Sequence, residues 1–119
     1  MRAEVKYFHS PDFDWESQTP DNPKCFEVLL QAFVGPVGED NSESFDLLIC
    51  TPSFLEREAA DSGVIDGHHR IIVSSFNRDR IESYIRQRIR AVDEPTWVEL
   101  ATKVGRLGRW EFEDYDHQN

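Results

Sequence analysis

Apolar and polar positions alternate with a period of two over much of the first fifty residues. Ala3, Val5 and Tyr7 fall on one side of residues 2–8 and Glu4 and Lys6 on the other, which predicts a half-buried strand. Cys25 to Val34 carries the longest alternation, with Phe26, Val28, Leu30, Ala32 and Val34 on one face and Glu27, Leu29, Gln31 and Phe33 on the other. Gly35-Pro36 ends that strand, the polar stretch Gly38 to Ser44 turns the chain, and Phe45 to Cys50 returns with Phe45, Leu47 and Ile49 inward. Between the first two strands, His9 to Pro23 holds Pro11, Pro20 and Pro23 and the acids Asp12, Asp14, Glu16 and Asp21. It reads as a long ordered loop anchored by Phe13 and Trp15.

After Cys50 the period changes. Thr51 is placed to cap a helix whose first residue, Pro52, needs no N–H partner; that short helix runs to about Ala60, with Gly63 beyond it. Ile71-Ile72-Val73 is a brief strand. Residues 78–92 give the clearest helix, with Ile81, Tyr84, Ile85, Ile89 and Val92 on one stripe and Arg80, Arg86, Arg88 and Arg90 on its other side. Trp97, Leu100, Ala101 and Val104 recur at helical spacing, Gly105 and Gly108 close that segment, and Trp110 to Glu113 alternates as a last strand. The order β-β-β-α-β-α-α-β predicts an α+β fold over residues 1–119 as one domain. We expect a single antiparallel sheet of about five strands with two or three helices on one face. Helices over Val5, Val28, Leu47 and Phe112 would leave the opposite face open, showing Glu4, Glu27, Asp46, Glu111 and Glu113 among Leu29, Phe33 and Leu48. Acids among exposed apolar groups suit an interface for a basic partner.

Charge sharpens that picture. The 119 residues carry 23 acidic and 13 basic side chains, a formal charge of −10. Residues 1–69 hold four Lys/Arg against fourteen Asp/Glu, residues 70–109 nine against five, and residues 110–119 four acids and no base. The molecule is therefore polarised. Its net charge disfavours direct binding of nucleic acid, which needs cations to displace phosphate counterions, and docking on anionic membranes. No stretch approaches the roughly 20 apolar residues of a membrane-spanning helix, and Met1 to Lys6 has no apolar signal region. Cys25 and Cys50 sit in apolar strand-like runs, as reduced, packed thiols of a cytoplasmic protein would.

Tested for chemistry, the chain offers little. Asp12-Phe13-Asp14-Trp15-Glu16 opens like a calcium loop, but the sixth position is Ser17 rather than glycine and the twelfth is Pro23 rather than glutamate. His68 and His69 are adjacent, so on extended chain they point to opposite sides, and no Cys-x-x-Cys pair supports zinc. We expect no metal and no cofactor. Cys50 lies near a helix start, which can lower a thiol pKa, but it reads first as a core residue ending a strand. The arginines Arg78, Arg80, Arg86, Arg88 and Arg90 lack interleaved stacking aromatics apart from Tyr84, and read as solvated or paired with the chain's own acids.

Several segments, in order, resemble the bacterial immunity protein 8 family: Leu29 to Pro36, Glu43 to Pro52, Thr96-Trp97, and Gly108 to Tyr115. Phe54 stands where that family often has tryptophan. The resemblance implies a non-enzymatic protein that binds and blocks a cognate toxin domain of a polymorphic or contact-dependent system. Such toxins are often nucleases with basic active sites. The expected contacts are the acidic loop (Asp12, Asp14, Trp15, Glu16), the turn acids (Glu39, Asp40, Glu43) and the open face (Glu111, Glu113), with loop and turn ranked first. Asp46 and Trp110 are expected to hold structure. Two other readings stay open at this point: a small hydrolase using Cys50 or His68/His69, and a homodimeric interaction module joined through sheet edges.

Overall fold

The computed structural model describes residues 1–114; Tyr115 and Asp116, part of the acidic C-terminal stretch, lie outside them. The elements are β1 (Ala3–His9), β2 (Glu27–Pro36), β3 (Glu43–Cys50), α1 (Pro52–Ser62), β4 (Arg70–Ile72), α2 (Arg78–Arg90), α3 (Trp97–Val104) and β5 (Arg109–Trp110). They form one mixed α+β fold around a single five-stranded sheet, in the expected order. The path is β1-β2-β3-β4, and β5 also pairs with β3.

The sheet departs from an all-antiparallel design at one strand. β4 runs parallel to β3, with Ile49 opposite Ile71. A parallel neighbour requires the chain to travel back along the sheet, and α1 with its following loop supplies that crossover. Thr51 caps α1 as expected, its hydroxyl accepting from Phe54 N–H, and Gly63 ends it in the left-handed conformation at φ 83°. The same hydroxyl accepts from Phe26 N–H at 3.2 Å, so the cap also ties the helix start to β2.

Side-chain parity also differs in β1. Val5 pairs with Val34, but Tyr7 pairs with Phe33, a one-residue bulge between them. A bulge inverts the facing of every residue beyond it. Phe8 therefore enters the core, and Tyr7 lies 51% exposed, stacked on Phe33 at 4.4 Å and 9°. The last strand is shorter than the alternation predicts: after Trp110 the chain turns over Glu111–Asp114. Phe112 folds back edge-on to the Trp110 ring at 5.9 Å.

One hydrophobic cluster joins Ala3, Val5, Phe8, Val28, Leu30, Ala32, Val34, Phe45, Leu47 and Ile49 of the sheet to Ile81, Ile85, Ile89, Leu100, Ala101 and Val104 of α2 and α3. Each fully buried aliphatic side chain contributes about 1.5–3 kcal/mol. The α2 stripe is narrower than its sequence suggests. Ile81, Ile85 and Ile89 are buried, whereas Tyr84 is 44% exposed. α1 buries no residue completely.

Candidate partner-binding surface

The acidic residues singled out from sequence divide between the two ends of the sheet. The loop of residues 10–26 joins the end of β1 to the start of β2, and the turn of residues 37–42 joins β2 to β3 at the other end. β2 is ten residues long, so the two groups stand about 30 Å apart.

At the loop end, Asp12 and Asp14 are engaged by the fold itself. Asp12 accepts Leu29 N–H at 2.8 Å while the Ser10 hydroxyl donates to Leu29 C=O at 2.7 Å, so two side chains take over where β1 stops pairing. Asp14 accepts from the Ser17 hydroxyl at 2.6 Å and Glu16 N–H at 3.2 Å. These bonds hold its carboxyl below the usual carboxylate range, although it is fully exposed. Trp15 is only 2% exposed, so it is an anchor and presents no surface to a partner. Its indole donates to Glu82 at 2.8 Å, its ring meets Phe76 edge-on at 5.6 Å, and the Arg78 guanidinium donates to its carbonyl and to that of Gln18. Only Glu16 of the four proposed loop contacts is exposed with no side-chain role in these bonds.

At the hairpin end the residues are differently disposed. Glu39 and Asp40 lie exposed at the tip of the turn. Gly38 there adopts φ 82°, and its N–H donates to Glu4 at 3.2 Å, which fixes the turn against β1. Glu111 is exposed and accepts Ser44 N–H at 2.8 Å, placing it beside the start of β3. Glu113 pairs with Arg109 at 3.9 Å, both largely exposed. Glu43 is a different kind of residue. Its Oε2 accepts from the indoles of Trp97 at 3.0 Å and Trp110 at 2.7 Å, so it joins β3, α3 and β5. The sequence carries a signal for this role: two tryptophans near separate elements each need an acceptor when buried. Exposed Val37 and Val98 flank this end. The structure thus brings Glu39, Asp40 and Glu111 to one end of the sheet, turns Glu113 back toward Arg109, His68 and Arg106, and leaves the loop acids at the other end.

The sheet face away from α2 and α3 shows Tyr7 and Phe33 together with partly buried Leu29 and Leu48. Its charges are largely paired internally. Glu27 bonds Arg70, Glu4 meets Lys6 at 3.5 Å, and Asp46 accepts from Gln31 at 3.2 Å, in keeping with a structural role for Asp46.

The residues weighed for catalysis do not converge. Cys50 is fully buried and burial pushes its thiol pKa up, opposite to the depressed value a nucleophile needs. His69 sits at φ 61° with Nε2 bonded to Gly105 O at 2.7 Å, and the His68 ring lies over it at 3.6 Å. Cys25 and Cys50 are both free thiols. Among the described residues, no group of three or more His, Cys, Asp or Glu is placed to hold a metal ion, and no helix is long and apolar enough to cross a membrane.

A family model described as Immunity protein 8 matches residues 3–115, nearly the whole chain. No curated protein and no solved structure matches it.

Proposed function

The chain belongs to the immunity protein 8 family, an immunity protein of polymorphic-toxin systems, and from that premise we propose that it neutralises its cognate toxin without catalysis. The acidic hairpin end of the sheet covers a basic active site that the toxin uses to hold nucleic acid. The observation that carries this reading is the placement of Glu39, Asp40 and Glu111 at one end of the sheet beside exposed Val37. The loop acids Asp12 and Asp14 spend their oxygens on backbone and hydroxyl donors, and the loop, with exposed Glu16, stands about 30 Å from the hairpin end and outside this contact.

The physics of such a contact favours speed. A strongly negative surface facing a positive cleft raises association toward about 10⁸–10⁹ M⁻¹s⁻¹ at low salt. Carboxylates placed where phosphates would lie compete with nucleic acid and offer no bond to cleave. The rigid hairpin keeps the ordering cost on binding small. Nothing in the mechanism requires a cofactor, a metal or a membrane, and it operates in the cytoplasm, where the toxin's substrate is.

The test is titration into the cognate toxin domain, sought in the reading frame beside this gene, by calorimetry and stopped flow at about 0.01 M and about 0.15 M salt. The Debye length falls between them from about 30 Å to about 8 Å. Tight one-to-one binding that slows with salt, and slows further in Glu39→Lys/Asp40→Lys but little in Glu16→Lys/Asp21→Lys, is the expected result. Binding insensitive to both salt and hairpin charge removes the acidic-occlusion mechanism.

A further inference from the structure

The two edges of the sheet are finished differently. β1 is closed off. Arg86 donates to Val5 C=O at 3.1 Å, Arg2 donates to Arg90 C=O at 2.7 Å, and a bridge pairs Arg2 with Asp93. β4 is not closed in this way. Its outer edge borders a groove of about 550 Å³ lined by residues 67–73, by Arg80, Ile81, Tyr84 and Arg88 of α2, and by Arg106 and Leu107 after α3.

That groove is basic in an acidic protein. Arg80, Tyr84 and Arg88 recur every four residues and so share one stripe of α2. Arg88 donates to the Tyr84 hydroxyl at 2.8 Å, a neutral partner. Among the described residues no carboxylate pairs with Arg80, Arg88 or Arg106, although seven ion pairs form elsewhere. Exposed apolar surface lies between these cations: Ile72 is 57% and Tyr84 44% exposed. In a parallel pair the backbone groups of alternate residues point to opposite sides. Leu48 N–H donates to His69 C=O and Val73 N–H to Cys50 C=O, so the odd-numbered residues face β3. The N–H and C=O of Ile72 accordingly face the groove.

We infer that this groove is a docking site for an extended acidic segment of a partner protein, which lies along the open edge of β4. Its backbone bonds to Ile72, its carboxylates meet Arg80, Arg88 and Arg106, and an apolar side chain between them covers Ile72 and Tyr84. Three features select this occupant. Unneutralised guanidiniums prefer planar carboxylates. An open strand edge prefers extended backbone. The exposed isoleucine requires a partly apolar segment, which a purely ionic ligand would not satisfy. Glu113 adjoins this groove, lining a neighbouring depression with His68 and Arg106, whereas Glu39 and Asp40 stand at the hairpin tip and line neither; docking here does not require that tip to contact the toxin.

The test uses the whole protein and a fluorescein-labelled peptide of about eight residues alternating glutamate with valine, long enough to run past the edge. Anisotropy measures affinity, and amide chemical shifts report Ile72. The expected result is saturable binding, a shift and exchange protection at the Ile72 amide, and at least about tenfold weaker binding of a lysine–valine peptide. Arg80→Glu/Arg106→Glu, shown by circular dichroism to be folded, should reverse that preference. Equal binding of an N-methylated glutamate–valine peptide would overturn the strand pairing. Absence of binding, or affinity unchanged by the charge reversal, would overturn the site. Self-association of the protein alone that Arg80→Glu abolishes would assign the groove to a second copy and overturn the proposal.

Discussion

Replacing Glu43 separates a structural carboxylate from a contact carboxylate. In the folded chain its Oε2 accepts from two indole N–H groups, of half-buried Trp97 and buried Trp110, at 3.0 and 2.7 Å. Hydrogen bonds to a charged group contribute about 1.5–3 kcal/mol each. Glu43→Ala removes both, and water can reach the partly exposed Trp97 side to recover some of the loss. A destabilisation of about 2–4 kcal/mol results. For a domain of this size that is a fall in Tm of roughly 8–16 °C. Glu43→Gln keeps an acceptor oxygen but loses the charge, and should cost about 1–2 kcal/mol. Thermal and urea unfolding measure both, and near-UV circular dichroism of the tryptophan band reports whether the indoles stay fixed. A double-mutant cycle with Trp97→Phe should show coupling of about 1 kcal/mol or more. A Glu43→Ala protein that melts within about 2 °C of the parent, with an intact tryptophan band and weakened toxin binding, would refute the structural assignment.

Four further outcomes follow from the packing and burial of other residues. An added Cβ at Gly35 would run into the Asn41 backbone oxygen, so Gly35→Ala should cost about 3 kcal/mol. Gly38→Ala, at φ 82° in open space, should cost only about 1 kcal/mol; chemical denaturation compares the two. Trp15→Ala should destabilise by about 3–5 kcal/mol, and at temperatures where it remains folded its toxin affinity should match the parent's. Iodoacetamide should modify native Cys25 well before Cys50, as mass spectrometry of timed digests would show; equal rates would contradict the burial of Cys50. Because folding raises the Cys50 thiol pKa, stability should hold below the unfolded thiol value of about 8.5 and decline as pH rises from there toward the folded value. Cys50→Ala should lessen that decline in urea unfolding across the alkaline range.

Much of the architecture was legible because local chemistry enforces it. Thr51-Pro52 and Gly63 bracket α1, and the Ile81, Ile85 and Ile89 spacing marks the buried side of α2. The misread positions share a cause. Tyr7 fits an inward alternation until a bulge shifts its register, and no residue in β1 announces that shift. Tyr84 fits an apolar stripe, yet whether a flanking stripe position is covered depends on how far the neighbouring sheet extends. Parallel pairing of β4 depends on where a crossover lands, which neither β3 nor β4 encodes locally.

The candidate surface was less legible than the fold. Composition identified an acidic molecule and the positions of its acids, since charge is a property of the chain itself. It could not say which carboxylates were already engaged. Asp12 and Glu43 resemble Glu39 and Asp40 in sequence, but accept bonds from Leu29 and the two indoles, and those partners arrive only when distant segments meet; Asp14 is engaged locally, by Ser17 three residues on. The sequence by itself determined the elements, their order, the net charge and the family, because propensity, periodicity and composition are local. The tertiary structure decided which acids are engaged by other segments, that Glu39 and Asp40 stand exposed at the hairpin tip, and that Arg80, Arg88 and Arg106, without a carboxylate partner among the described residues, line an open edge. Those properties depend on long-range contacts, and a residue's availability to a partner is what such contacts leave over.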